Sequence, residues 1–147
     1  MRGHIVYIDE KTDTLAKLLD GSKRMLIYDG EAHKPPYRDV KVGDTIYFIP
    51  NNASDKVHAT ARVRYIFNTE KLSITESQLL LHSYQDALQL NDAEIWEWAG
   101  LDCAVVVEVE EVQAVTPFPI KRSDLGHFDN WFVLDSAELL KTHAVDA

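Results

Sequence analysis

Apolar positions along the chain change their spacing from two to about 3.6 and back, and each change marks an element boundary. Residues 1–8 place Ile5, Val6, Tyr7 and Ile8 in an alternating setting and read as a strand. Leu15, Leu18 and Leu19 share one face of a short helix that Thr12 or Asp13 is placed to cap. Gly21 comes just after the last apolar position, where a left-handed C-cap belongs. Met25-Leu26-Ile27-Tyr28 is the next strand, stopped by Asp29-Gly30. A polar loop, Glu31 to Val40, leads to the turn Val42-Gly43-Asp44. Thr45 to Ile49 then forms a strand closed by Pro50-Asn51-Asn52. From Val57 the alternation is regular. Val57, Ala59, Ala61, Val63, Tyr65 and Phe67 fall on one face; His58, Thr60, Arg62 and Arg64 fall on the other.

The second half begins with helices. Thr75-x-x-Gln78 has the form of a capping box and opens a helix through about Leu90. Asn91-x-x-Glu94 opens another, ending at Gly100. Ala104 to Val115 is the longest strand. Its buried phase runs through Val105, Val107 and Val109, then passes to Val112 and Ala114. The slip near Glu110-Glu111 predicts a bulge. Thr116-Pro117-Phe118-Pro119 is expected to end the strand, and Asp135-x-x-Glu138 to open a last helix through Leu140. Strands and helices mix without regular βαβ alternation, which predicts an α+β fold with a curled, mainly antiparallel sheet. A chain of 147 residues is about one domain and buries roughly two-thirds of its surface on folding.

Charge changes the picture more than composition does. The net charge is −9. Residues 1–74 hold 12 basic and 10 acidic side chains, net +2; residues 75–147 hold 3 and 14, net −11. A polyanion is repelled by the whole molecule, which argues against tight non-specific nucleic-acid binding. A local basic face on the first half is still compatible with the sequence, although an ordinary solvated acidic surface accounts for the numbers. Cys103 is the only cysteine and sits in an apolar run, the setting of a buried structural thiol. No stretch has the length of a membrane span, and the first residues lack the blocks of a secretion signal. A cytoplasmic location is the expectation.

The order of these elements resembles the PUA-like superfamily, which includes the ASCH, EVE and YTH domains. The resemblance rests on the first strand, the helix ending in Gly21-Ser22-Lys23, and the strand after it. It continues through Val42-Gly43-Asp44-Thr45-Ile46-Tyr47-Phe48, the strand Val57 to Phe67, and the long strand running into Pro117-Phe118-Pro119. It implies a small mixed, mainly antiparallel β-barrel with peripheral helices. Residues 1–147 are then one such domain, with a helical insertion over about 75–100 and a C-terminal loop and helix over about 123–143. Most members bind RNA or DNA, several reading one modified or flipped base, and some ASCH members hydrolyse modified cytidine. Their fingerprint is approximately Gly-x-Lys-Thr-x-Glu-x-Arg. Gly21 and Lys23 match it; Arg24, Leu26 and Tyr28 stand where Thr, Glu and Arg are found. The hydrolase's threonine, three residues after the lysine, is also replaced by Leu26. The tryptophan-bearing start of EVE domains is missing as well.

The resemblance places a ligand cleft beside the Gly21-Lys23 turn. The candidate binding residues are Lys23, Arg24, Tyr28, Asn51, Asn52, Phe118 and Trp131. Lys23 or Arg24 would contact a phosphate or a base carbonyl, although a cation after a helix C-terminus also has a purely structural reason to be there. In a strand the two point to opposite faces, so only one enters the cleft. Asn51 and Asn52 offer hydrogen bonds to a base edge, a role that competes with turn formation. Trp131, in the polar segment Gly126-His127-Phe128-Asp129-Asn130-Trp131, is a stacking platform or a lid over the barrel end. Arg62 and Arg64 repel unless carboxylates or a phosphate neutralise them, and the abundance of carboxylates favours ion pairs. Trp96 and Trp98 lie about 200° apart on a helix and cannot share one face, so one is core and the other is exposed, at an interface or over the cleft.

No catalytic residue, metal site or cofactor is assigned; the six histidines show no ligand spacing. The reading is a nucleic-acid or modified-nucleobase binding module whose partner is RNA or DNA, engaged through one modified or flipped base. An ASCH-type amidohydrolase acting on a modified pyrimidine nucleoside is the alternative. A protein-interaction domain, with a homodimer through the 75–100 helices, is the third.

Overall fold

Among the described residues six strands form one sheet that curls around an apolar interior, in the order β2-β5-β4-β3-β1-β6. They are β1 (Gly3–Ile8), β2 (Met25–Asp29), β3 (Thr45–Pro50), β4 (Lys56–Asn68), β5 (Ala104–Pro119) and β6 (Trp131–Leu134). Among the described residues three helices accompany them: α1 (Thr14–Asp20), α2 (Ile74–Leu88) and α3 (Asp92–Trp98). The computed structural model describes residues 3–9, 12–29, 40–50, 56–69, 71–101, 103–119 and 131–134. The 31–39 loop, Asn51, Asn52 and the helix expected from Asp135 lie outside the described residues.

Only β1 and β3 pair in parallel; every other neighbouring pair is antiparallel. All six strands send side chains into one cluster. Val6, Leu26, Phe48, Ala61, Val107 and Trp131 represent them in turn. At the open seam the edge strands approach each other through Tyr28 of β2 and Trp131 of β6, whose rings meet edge-on with centroids 4.9 Å apart. The result is an α+β, mainly antiparallel barrel with helices outside it. α2 and the segment around α3 cover the outer face of β2 and β5, where Met25, Ile27, Ala104 and Val106 pack with Leu81, Leu88 and Leu90. Residues 104–107 are therefore buried on both faces, which explains their unbroken apolar run.

Local rules account for the element ends. Gly21 holds φ +85 and its N–H donates to the Leu18 carbonyl, the left-handed C-cap expected of it. Asp13 is at the N-cap of α1, but its side chain makes no capping bond and its backbone is left-handed. Leu19, on the expected buried face, is 40% exposed; Leu15 and Leu18 carry the packing. α2 opens two residues before the expected box. Ser73 and Glu76 form it reciprocally, Glu76 N–H to Ser73 Oγ at 3.1 Å and Ser73 N–H to Glu76 Oε1 at 3.0 Å. Both pairs fit the same pattern, and the earlier one takes the cap. Asn91 and Glu94 form the second box as expected.

The long strands carry the irregularities. The slip at Glu110-Glu111 is a bulge: Glu111 has φ +54, and the β4–β5 register shifts there. Ala114 does not inherit the buried phase and is exposed; Val112 and Val115 are partly buried. Of the expected inward face of β4, Ala59, Ala61 and Val63 reach the barrel interior, where Ile66 from the opposite phase joins them. Register shifts on either side turn Val57 to an outer cluster, Tyr65 to solvent and Phe67 toward the helices. β5 also runs through Pro119 instead of stopping near Thr116. β2 pairs with it only over residues 104–108, so Pro117 and Pro119 sit where one side of β5 needs no partner.

Candidate functional site

The chain leaves α1 through Gly21, and two hydrogen bonds fix its path into β2. Lys23 N–H donates to the Lys17 carbonyl at 3.0 Å and Arg24 N–H to the Ala87 carbonyl at 2.8 Å. Successive residues at the start of a strand point apart, and these two do. Arg24 turns to α2 and pairs with Asp86 at 2.9 Å, with both side chains largely exposed. Lys23 turns inward, is 5% exposed, and its Nζ donates to the carbonyl of Leu88.

Lys23 lies in the wall of a cleft of about 530 Å³ between the end of β1, the start of α1, β2 and α3. Tyr7, Tyr28 and Trp98 supply aromatic wall; Leu26 and Leu90 supply aliphatic wall. Thr12 and Thr14 bring hydroxyls, and Asp9, Glu94 and Glu97 bring carboxylates. Such a volume lies within the range of small-molecule sites. Acidic groups outnumber the single lysine in the lining, so the cleft is polar without being a phosphate trap.

Burial pushes the Lys23 ammonium down from its ordinary 10.5 to about 8, with Glu94 opposing the shift and Lys17 adding to it. Burial likewise raises the Tyr28 phenol, so its hydroxyl stays protonated. The lowered lysine has a consequence for stability. Between about pH 8 and pH 10.5 the unfolded chain holds a proton that the folded lysine has released. Stability contributed by this group is therefore lowest at neutral pH and rises across that window. The expected gain is on the order of 2 to 3 kcal/mol. Urea midpoints of the natural chain and of Lys23→Met, compared at pH 7 and pH 10.5, measure it. The gap between the two proteins should move in favour of the natural chain as pH rises.

The other expected site residues do not all gather here. Tyr28 lines the cleft. Arg24 faces away, toward Asp86 on α2. Phe118 packs against the outer cluster of Ile5, Tyr7, Ile49 and Val57 and is absent from the cleft wall, because the end of β5 pairs with Lys56 and Val57 at the start of β4. Trp131 is 2% exposed and belongs to the barrel interior, so it offers no free face for stacking. It opens β6 against Val6 instead of sitting in a loop. Its indole N–H donates to His4 Nδ1 at 3.0 Å. Nδ1 must then carry the lone pair, and Nε2–H points to Asp44 Oδ2 at 2.8 Å. Asp44 Oδ2 also accepts from the Lys41 N–H at 2.9 Å. This buried Trp131-His4-Asp44 chain ties the first strand, the β3 turn and the last strand together. His4 gives no signal in the sequence beyond a polar residue inside an apolar strand.

Arg62 lies 3.5 Å from Glu111 and Arg64 3.7 Å from Glu108, the ion pairs expected of them. Trp98 joins the core and Trp96 is 83% exposed, the expected split. Asp9, Thr12, Thr14, Glu94 and Glu97 line the cleft without any sequence signal for it. Only tertiary packing places α3 over β2. Among the described residues no group of three His, Cys, Asp or Glu side chains is arranged to hold a metal, and no helix is long and apolar enough to cross a membrane.

This barrel, with its helix-Gly-x-Lys turn and cleft, is a PUA-like fold. Solved structures agree. The ASCH protein of Zymomonas mobilis superposes with a TM-score of 0.69 at 12% identity, over 98% of this chain and 96% of that one. A variant of it gives 0.70 at 11% identity, over 97% and 99%. The N-terminal domain of Staphylothermus marinus McrB gives 0.55 at 10% identity, over 96% and 92%. No family model and no curated protein matches the sequence.

Proposed function

We propose that the protein is a nucleic-acid binding module of the PUA-like kind that encloses one nucleobase, modified or flipped, in the cleft beside Lys23. The observation that carries this reading is the cleft: about 530 Å³, walled by Tyr7, Tyr28 and Trp98, with a buried lysine amine in its lining. Aromatic wall suits a base, and a fixed amine suits a base carbonyl. The single lysine and three carboxylates suit recognition of the base more than of a phosphate chain. The superposition on ASCH and McrB domains agrees with such a module. Asn51 and Asn52, which lie outside the described residues, are proposed as hydrogen-bonding contacts to a base edge. The test is calorimetric titration with unmodified and modified nucleosides and with a short single strand carrying each. One modified nucleoside should bind at least tenfold tighter than its parent, with little dependence on salt. Equal binding of every strand, collapsing in high salt, would overturn the reading.

One observation favours a second reading, the amidohydrolase. A lysine whose pKa lies near 8 holds an appreciable fraction of free amine at neutral pH and can act as a base. Leu26, in the place of the hydrolase's threonine, offers no hydroxyl, whereas Thr12 and Thr14 bring hydroxyls to the cleft from α1 and the residues before it. Release of acetate from N4-acetylcytidine, abolished by Lys23→Met, would put this reading first.

A further inference from the structure

The cleft beside Lys23 meets its ligand with an amine from one wall and carboxylates from another. Lys23 comes from the start of β2 and is buried. Glu94 and Glu97 come from α3, one turn apart and both in the lining, the first half-buried and the second exposed. Glu94 is held in place: its Oε1 accepts the Asn91 N–H at 3.1 Å, closing the capping box of α3. That bond fixes the carboxylate and leaves its other lone pairs for a ligand. Its charge reaches Lys23, where it favours the ammonium against the effect of burial. Glu97 has no ion-pair partner among the described residues.

A base in this cleft must offer an acceptor to the amine and donors to the carboxylates. Guanine offers both on one edge. Its O6 accepts from a lysine, and its N1–H and N2–H lie side by side, the spacing that one carboxylate takes with two oxygens. Adenine and cytosine put a ring lone pair next to their amino group, and a carboxylate, which only accepts, repels it. Uracil has a single N3–H. Charge selects further. Asp9, Glu94 and Glu97 against Lys23 leave the lining net negative, and Tyr28 and Trp98 put aromatic rings in the wall. Such a surface favours a cation over a neutral base. Alkylation at N7 gives guanine a positive charge and leaves the O6, N1 and N2 edge intact. On the footing that the cleft holds a nucleobase, we infer that the base is a positively charged guanine of the 7-methylguanine type. Lys23 takes O6, Glu94 takes the N1–H and N2–H pair, and Glu97 adds its charge at the mouth.

Calorimetric titration of the full chain tests this at about pH 6, where carboxylates are ionised and the alkylated base keeps its N1 proton. The probes are 7-methylguanosine, guanosine, 7-methylinosine, adenosine, cytidine and N4-acetylcytidine, all free of phosphate. 7-Methylguanosine should bind about tenfold or more tighter than guanosine, which lacks the charge, and than 7-methylinosine, which lacks the N2 donor. Glu94→Gln can still close the capping box, and should weaken 7-methylguanosine about tenfold while weakening guanosine less. Glu97→Gln, an exposed change that spares the fold, should narrow the preference for 7-methylguanosine over guanosine. Equal binding of 7-methylguanosine and guanosine, or unchanged affinities in both glutamine variants, would overturn the inference. Tighter binding of adenosine, cytidine or N4-acetylcytidine, with resonance shifts at Lys23 and Trp98, would overturn it and leave the nucleobase reading standing. Failure of every nucleoside to shift those resonances would overturn both.

Discussion

Lys23→Met is expected to weaken binding of the best nucleobase ligand roughly ten- to hundredfold, the loss of one hydrogen bond involving a charged donor. The barrel should stay folded. Methionine has nearly the length of lysine and suits the 5% exposed position. It removes the donor to the Leu88 carbonyl, which costs about 1 to 3 kcal/mol. It also removes the desolvated amine whose burial lowers the Lys23 pKa, a gain of similar size at pH 7. The two effects nearly cancel, so the urea midpoint at neutral pH should move little while the titration changes greatly. Unchanged affinity in Lys23→Met would remove the lysine from the site.

Trp131→Ala is expected to lower stability by about 3 to 5 kcal/mol, the range for deleting a buried aromatic. Three connections fail together. The interior loses a large side chain, His4 loses the indole N–H, and Tyr28 loses its edge-on neighbour across the barrel seam. Trp131→Phe keeps most of the volume and removes only the donor, so it should cost about 1 to 3 kcal/mol. Ligand affinity in the phenylalanine variant should fall modestly, since Tyr28 still has a ring beside it. A stacking platform would behave in the opposite way, with a large loss of affinity and little loss of stability. Denaturant unfolding and calorimetry on the two variants decide between these roles.

The contrast between Lys23 and Trp131 also measures how much a sequence can convey. Lys23 is legible because much of its position is set locally, by a helix end, a glycine with positive φ and a bond from its own N–H to the Lys17 carbonyl. Trp131 is not, because its surroundings come from β1, some 127 residues away in sequence at His4. A tryptophan after Asp129-Asn130 has the local look of a loop residue, and only the pairing with Val6 makes it a strand. The same division holds for the strands. The bulge at Glu110-Glu111 is readable because the apolar phase slips there. The turns of Val57, Tyr65 and Phe67 are hidden because their spacing keeps the phase while the register shifts. Capping boxes show a local ambiguity, with Ser73-x-x-Glu76 and Thr75-x-x-Gln78 equally good as patterns. The far wall of the cleft, Glu94, Glu97 and Trp98, depends on how α3 lies over β2. No residue pattern within α3 states that.

Entry of one base into the cleft between β2 and α3 can be watched residue by residue. The decisive experiment is a titration of isotope-labelled protein with the tightest-binding nucleoside, read through amide and side-chain resonances. Shifts should concentrate at Lys23, Tyr28, Glu94 and Trp98, with intermolecular contacts from the base to the Tyr28 ring. Saturable binding whose shifts lie elsewhere, with those four residues unmoved, would mean that the base does not enter this cleft.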